Sequence, residues 1–213
     1  MKEKYLIMLV SLLFMKFIVV AQITDKDGHN YTTKQIGKQV WVVENLDVSH
    51  FRNGEPIMEA ESPEEWTRAG NEGRAAWCYY KSDIDSGKIY HRLYNWFAVN
   101  DSRGLAPDGW HVPSILDWAI ITNSFGGLDL AGVKMKSATA WDGTDESGIT
   151  FLPGGYRNTI SEFNHAGKIG SWWSSTEASN SEAWSFSLGR GTPVVSKSFD
   201  SKRVGLSVRC LKD

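Results

Sequence analysis

The stretch Gly170-Ser171-Trp172-Trp173-Ser174-Ser175-Thr176 limits the possible folds of this 213-residue chain more than any other. Neighbouring side chains of a strand point to opposite faces, so two adjacent indoles cannot share one layer of core. Either the strand is covered on both sides, or one ring stands out as a binding platform. The expectation is that at most one ring is substantially exposed, with one in the main core and the other beneath a long loop. Ser174, Ser175 and Thr176 read as hydrogen-bonding residues of a strand or turn, since no base can be assigned to them. Ten Trp and twenty Gly suit a compact, turn-rich domain rather than a helical bundle or a disordered chain.

The chain starts with Lys2 and Lys4, followed by an apolar run from Tyr5 to Ala21. Val19-Val20-Ala21 fits the residues read by signal peptidase, so residues 1–21 are expected to be a signal peptide cleaved before Gln22. A membrane anchor is the rival reading, but the run is short and Lys16 interrupts it. Residues 22–213 are then one exported domain, periplasmic, cell-surface or extracellular, with no transmembrane helix. Loss of Lys2, Lys4, Lys16 and Glu3 moves the formal charge from −2 to −4, and nothing in that balance suggests nucleic acid. The two cysteines, Cys78 and Cys210, are expected to form a disulfide in an oxidising compartment; two unrelated buried thiols are the alternative. Cys210 shares a period-2 face with Leu206 and Val208, which marks a buried strand near the C terminus.

YTTKQIGKQVWVVENL reads as two strands around Gly37-Lys38. SPEEWTRAG reads as a short helix ending near Gly70, and AAWCYY as a buried strand. RLYNWFAVN fits helix and strand equally. The clearest helix is PSILDWAIITNSFGG, with Ser114 as cap, Asp117 at the capping-box position and Gly126-Gly127 as its stop. Ile115, Trp118, Ala119 and Thr122 form its apolar stripe. Residues 138–170, rich in Gly, Asp, Ser and Asn, predict a long loop of the kind that often carries function. The sum is an α+β domain with two main helices, short antiparallel strands and a long loop-rich region.

In chain order, DGHNYTTKQIGKQVWVVENL, RLYNWFAVN, APDGWHVPSILDW, AGVKMKSATAW, LPGGYR, GSWWSST and VGLSVRC closely resemble the Fibrobacter succinogenes major paralogous domain, a family of exported bacterial domains. Trp41-Val42-Val43-Glu44-Asn45-Leu46 departs mildly from the family's usual Trp-Met-Ala-Glu-Asn-Leu string. That family looks related to the C-type-lectin-like fold, which also includes the formylglycine-generating enzymes; GWHVPSILDW and SVRC carry the similarity. The resemblance implies that the first and last strands pair, with a long loop region available to ligands.

The chemistry visible in the sequence is sparse. His-Glu-x-x-His, Cys-x-x-Cys and Gly-x-Ser-x-Gly are all absent. His29, His50, His91, His111 and His165 show no metal-ligand spacing, and His111 reads as a structural residue near the helix start. Asp142, Asp145 and Glu146 are the candidate ligands for a structural calcium, with Asp83 and Asp85 a second acidic pair; no other cofactor is expected. Tyr156 and Arg157, after a Gly-Gly pair, form with Trp172 and Trp173 the candidate ligand-binding patch. The alternative for the pair is a core Tyr and an Arg tied to a carboxylate. The expected function is a non-catalytic binding or adhesion module for a glycan or a surface protein. An enzyme of formylglycine-generating-enzyme-like architecture and a structural subunit of a surface assembly are the alternatives.

Overall fold

The computed structural model describes residues 23–213; the expected signal peptide lies outside them. β1 (Ile23–Thr24) and β2 (Asn30–Tyr31) form a small hairpin over the Asp27-Gly28 turn, where Gly28 takes φ +86°. β3 (Thr33–Ile36) and β4 (Gln39–Val42) form the hairpin expected at Gly37. β5 (Met58–Glu59) leads to α1 (Pro63–Asn71), which starts on a reciprocal capping box between Ser62 and Glu65. β6 (Ala76–Cys78) and α2 (Ile84–Tyr90) follow. The ambiguous RLYNWFAVN is both things in turn: β7 (Leu93–Tyr94), then α3 (Trp96–Val99), capped by Asn95.

β8 (Trp110–His111) precedes α4 (Ile115–Ser124), whose capping box joins Ser114 and Asp117 as expected. α4 buries Trp118, Ile121 and Thr122 and leaves Leu116 and Ile120 exposed. Its buried stripe therefore takes in Ile121, which the sequence spacing left out. After α5 (Ala131–Met135) the chain makes β9 (Tyr156–Arg157) and β10 (Phe163–Asn164). The longest strands are β11 (Ile169–Glu177), β12 (Glu182–Gly189) and β13 (Val195–Ser201), and β14 (Leu211–Lys212) closes the chain.

The sheets are small and mostly antiparallel, as an α+β domain requires. One has the order β3-β4-β14-β8, so the last strand returns to lie beside the first long hairpin. Another is the meander β11-β12-β13, and β5-β6-β7 forms a third with one parallel pair. No helix among the described residues is long and apolar enough to cross a membrane.

β11 is covered on both faces, and Trp172 and Trp173 are each 0% exposed. Trp173 enters the main core with Tyr94, Trp96, Val208 and Cys210, and its indole N–H donates to the Tyr94 carbonyl at 2.8 Å. Trp172 enters a second core with Trp41, Trp118, Phe151 and Phe186, and donates to Asn45 Oδ1 at 2.8 Å. Trp141, Ile149 and Phe151 bring the 138–170 connection over this second core. There the long loop is a roof, and its aromatic residues are packing groups.

A third core beneath α1 holds Ala60, Trp66, Cys78 and Leu93. This position rules out the expected disulfide. Cys78 sits in the third core and Cys210 in the main one beside β4, so both thiols are free and buried. Burial pushes the Cys78 thiol up to about 11 and the Cys210 thiol up to about 12.

Candidate functional site

The residues expected to bind ligand are mostly structural. Arg157 is 0% exposed; it donates to the carbonyls of Ala60 at 2.9 Å and Ser62 at 3.0 Å. Its guanidinium lies 4.8 Å from the ring centres of both Trp66 and Phe163. It thus fastens β9 to the start of α1, with backbone carbonyls in place of the carboxylate foreseen. Tyr156 is half-buried against the main core, its ring 5.7 Å from that of His165. With Trp172 and Trp173 also buried, only Tyr156 of the four keeps a partly exposed side chain.

The acidic loop is likewise spent on local bonds. Asp142 accepts from the buried Lys136 Nζ at 2.8 Å and from the Gly191 N–H. Asp145 holds the Thr150 N–H at 2.9 Å and hydroxyl at 2.7 Å, while Glu146 accepts from Thr144 Oγ1 at 3.2 Å. Asp83 caps α2 and Asp85 pairs with Lys88. Among the described residues, no group of three or more His, Cys, Asp or Glu is placed to hold a metal ion.

Polar side chains converge instead around the β1–β2 hairpin. Asp25 Oδ1 accepts the N–H groups of Asp27 and His29, each at 2.9 Å, which sets the turn. Its Oδ2 accepts the Tyr31 hydroxyl at 2.6 Å and lies 3.1 Å from His29 Nδ1. The Tyr31 oxygen in turn accepts the Asp47 N–H at 3.0 Å, so the hairpin is pinned to the 47–50 segment. Asp27 accepts the Ser49 N–H, the Ser49 hydroxyl at 2.9 Å and His50 Nδ1 at 2.6 Å. Asp47 Oδ1 lies 2.7 Å from Arg92 Nη1, and the Arg92 guanidinium lies 4.1 Å from the centre of the Trp77 ring. Lys26, Asp27, His29, Ser49, His50 and Arg92 line an open groove of about 630 Å³.

Many of the molecule's displaced pKa values gather here. Burial opposes ionisation of Asp27, but the Ser49 N–H, His50 and the Ser49 hydroxyl outweigh it and hold the carboxyl low. Burial raises Asp47 despite the opposing pull of Arg92. Burial lowers His91 and raises Tyr31 and Tyr79. Arg92 is raised: burial would lower it, but Tyr94, Asp47 and Tyr79 more than compensate. Such clustering is common where side chains are held for a ligand.

Two further signs coincide with it. His91 Nδ1 and Arg92 Nε are buried with no hydrogen-bond partner, and Asp47 Oδ1 has the Arg92 ion pair alone. His91 sits at φ +65°, ψ −161°, a conformation that strains any side chain larger than glycine's.

The Ser49 hydroxyl and Asp27 both meet Nδ1 of His50, and that hydroxyl donates to Asp27, so these three residues do not form a serine–histidine–aspartate relay. What remains is a set of planar donors and acceptors with fixed orientations. Taken alone, DKDGHNY predicts only an Asp-Gly turn. Its local signal is four ionisable groups within five residues, Asp25, Lys26, Asp27 and His29, whereas nothing in the sequence joins it to His50 or Arg92.

The model of the family described as the Fibrobacter succinogenes major domain matches residues 35–212. No curated protein and no solved structure matches the chain. The matched stretch includes Asp47, Ser49, His50 and Arg92 and begins after the β1–β2 hairpin.

Proposed function

The chain belongs to the Fibrobacter succinogenes major domain family, and from that premise we propose that it is an exported, non-catalytic binding module of the bacterial surface. Its ligand is a glycan, taken in the groove between the β1–β2 hairpin, residues 47–50 and Arg92. The observation that carries this reading is the polar lining of that groove, Lys26, Asp27, His29, Ser49, His50 and Arg92, with Arg92 Nε buried and without a hydrogen-bond partner. A buried polar atom without a partner costs about 1–3 kcal/mol, and a ligand hydroxyl could remove part of that cost. Sugar hydroxyls both donate and accept, which suits a wall of Asp, His, Ser and Arg.

The finer fold reading is C-type-lectin-like. Its support is the last strand lying beside the β3–β4 hairpin. The alternative of a formylglycine-generating-enzyme-like catalyst would need a reactive thiolate. Burial keeps Cys78 and Cys210 protonated at neutral pH.

The test is a glycan panel probed with the mature domain and with His50→Ala, each protein's thermal unfolding serving as the folding control. The expected result is selective binding, unaffected by chelator and weakened at least about tenfold by the substitution, in line with the loss of a well-placed polar contact. Silence across the panel would sink the glycan reading and favour a structural subunit. Binding that survives His50→Ala would move the site elsewhere.

A further inference from the structure

The β11-β12-β13 meander has one covered edge and one open edge. On the β11 side, Trp173 N–H donates to the Ser207 carbonyl and Ser207 N–H to the Ser171 carbonyl, so residues 171 and 173 point outward and are paired. Alternation through the register then fixes which groups of β13 face away from β12. They are those of the odd-numbered residues, and the ends of β13 agree: Val195 N–H donates to Leu128 and the Ser201 carbonyl accepts from Val204. Between those ends, the N–H and C=O groups of Lys197 and Phe199 point away from the sheet. They have no backbone partner among the described residues, and the Phe199 carbonyl receives only a long 3.5 Å contact from the Ser198 hydroxyl.

An open strand edge is a template for another strand, and natural proteins shield it with charge, bulges or cover. Here the shield is partial. Lys197 has its ammonium 4.7 Å from the centre of the Trp184 ring, and Phe199, 52% exposed, meets the same ring edge-on at 5.7 Å. The open window runs from the Leu128 bond to the Val204 turn and is centred on Ser198.

We propose that this window pairs with the same window of a second copy, antiparallel and two-fold symmetric about Ser198. In that register Lys197 faces Phe199 of the other copy, and each such pair exchanges both backbone hydrogen bonds. On one face the ammonium of Lys197 meets the aromatic ring of the opposing Phe199. On the other face Ser196 meets the carboxylate of the opposing Asp200. Centring on Lys197 would set two ammonium groups directly opposite each other, which is unfavourable. Centring on Phe199 would face the Lys197 N–H with the already occupied Ser201 carbonyl. The charge pattern and the free groups therefore select Ser198. Because the window is short, the dimer is a weak one, of the small transient class. It does not depend on the groove or on what the groove binds.

Sedimentation equilibrium of the mature domain over a wide concentration range tests this. The expected result is a reversible monomer–dimer equilibrium that Lys197→Pro shifts at least about tenfold toward monomer; proline removes one outward N–H and is tolerated at an edge. Under mild oxidation Ser198→Cys should cross-link as a dimer while Ser196→Cys should not, which gives a reading even if the proline variant fails to fold. A chain that stays monomeric at the highest concentration overturns the proposal and leaves the edge to a different strand. A dimer indifferent to Lys197→Pro, or a cross-link at 196 rather than 198, overturns it as well.

Discussion

At the scale of single residues, His91 is where backbone and electrostatics conflict most openly. It ends α2 at φ +65° with Nδ1 buried and unpartnered, and burial holds its pKa below the usual 6.5. Glycine accepts that conformation and alanine does not. His91→Gly should therefore be more stable than His91→Ala by about 1–2 kcal/mol in denaturant titration, the difference isolating the strain. The pH dependence follows from the same residue. As pH falls below about 6.5 the unfolded chain takes up a proton that the folded chain refuses, so stability falls with acidification. That part of the loss should vanish in His91→Gly, where thermal unfolding between pH 7 and 5 would show a shallower slope. Arg157 teaches a different lesson at this scale. Its place next to Gly-Gly and Tyr suggested a surface patch, yet its partners are carbonyls of residues 60 and 62, which no local pattern connects to it.

At the scale of elements, what could be read depended on distance along the chain. The Ser114–Asp117 cap, the turn at Gly37 and the opposite faces of Trp172 and Trp173 are local facts, and each is visible in a few residues. The disulfide was misjudged because an even cysteine count carries no information on which core each thiol enters. The groove was missed because Asp27, His50 and Arg92 meet only through the pairing of the β1–β2 hairpin with the 47–50 segment. The two-faced character of β11 leads to a prediction. Trp172→Ala and Trp173→Ala should each cost about 3–5 kcal/mol in chemical denaturation, because each empties a different fully buried site. A strand covered on one side would show one large loss and one small one. Additivity of the two losses in the double variant would further check that the cores are separate.

At the scale of the whole molecule, the three cores and the small sheets depend on a few long-range closures, and the most consequential is made by the last residues. β4 and β8 do not pair with each other; Leu211 lies between them, opposite Trp41 on one side and His111 on the other. A chain ending at Cys210 should therefore lose its cooperative thermal transition, although it lacks only three residues. For a folding chain this has a kinetic meaning. Leu211 meets Trp41 and His111, both far back in the sequence, so β4 and β8 are joined only after long loops have closed. Completion of this sheet is thus a late, non-local event, leaving an interval in which the polypeptide can still be handled as a flexible thread.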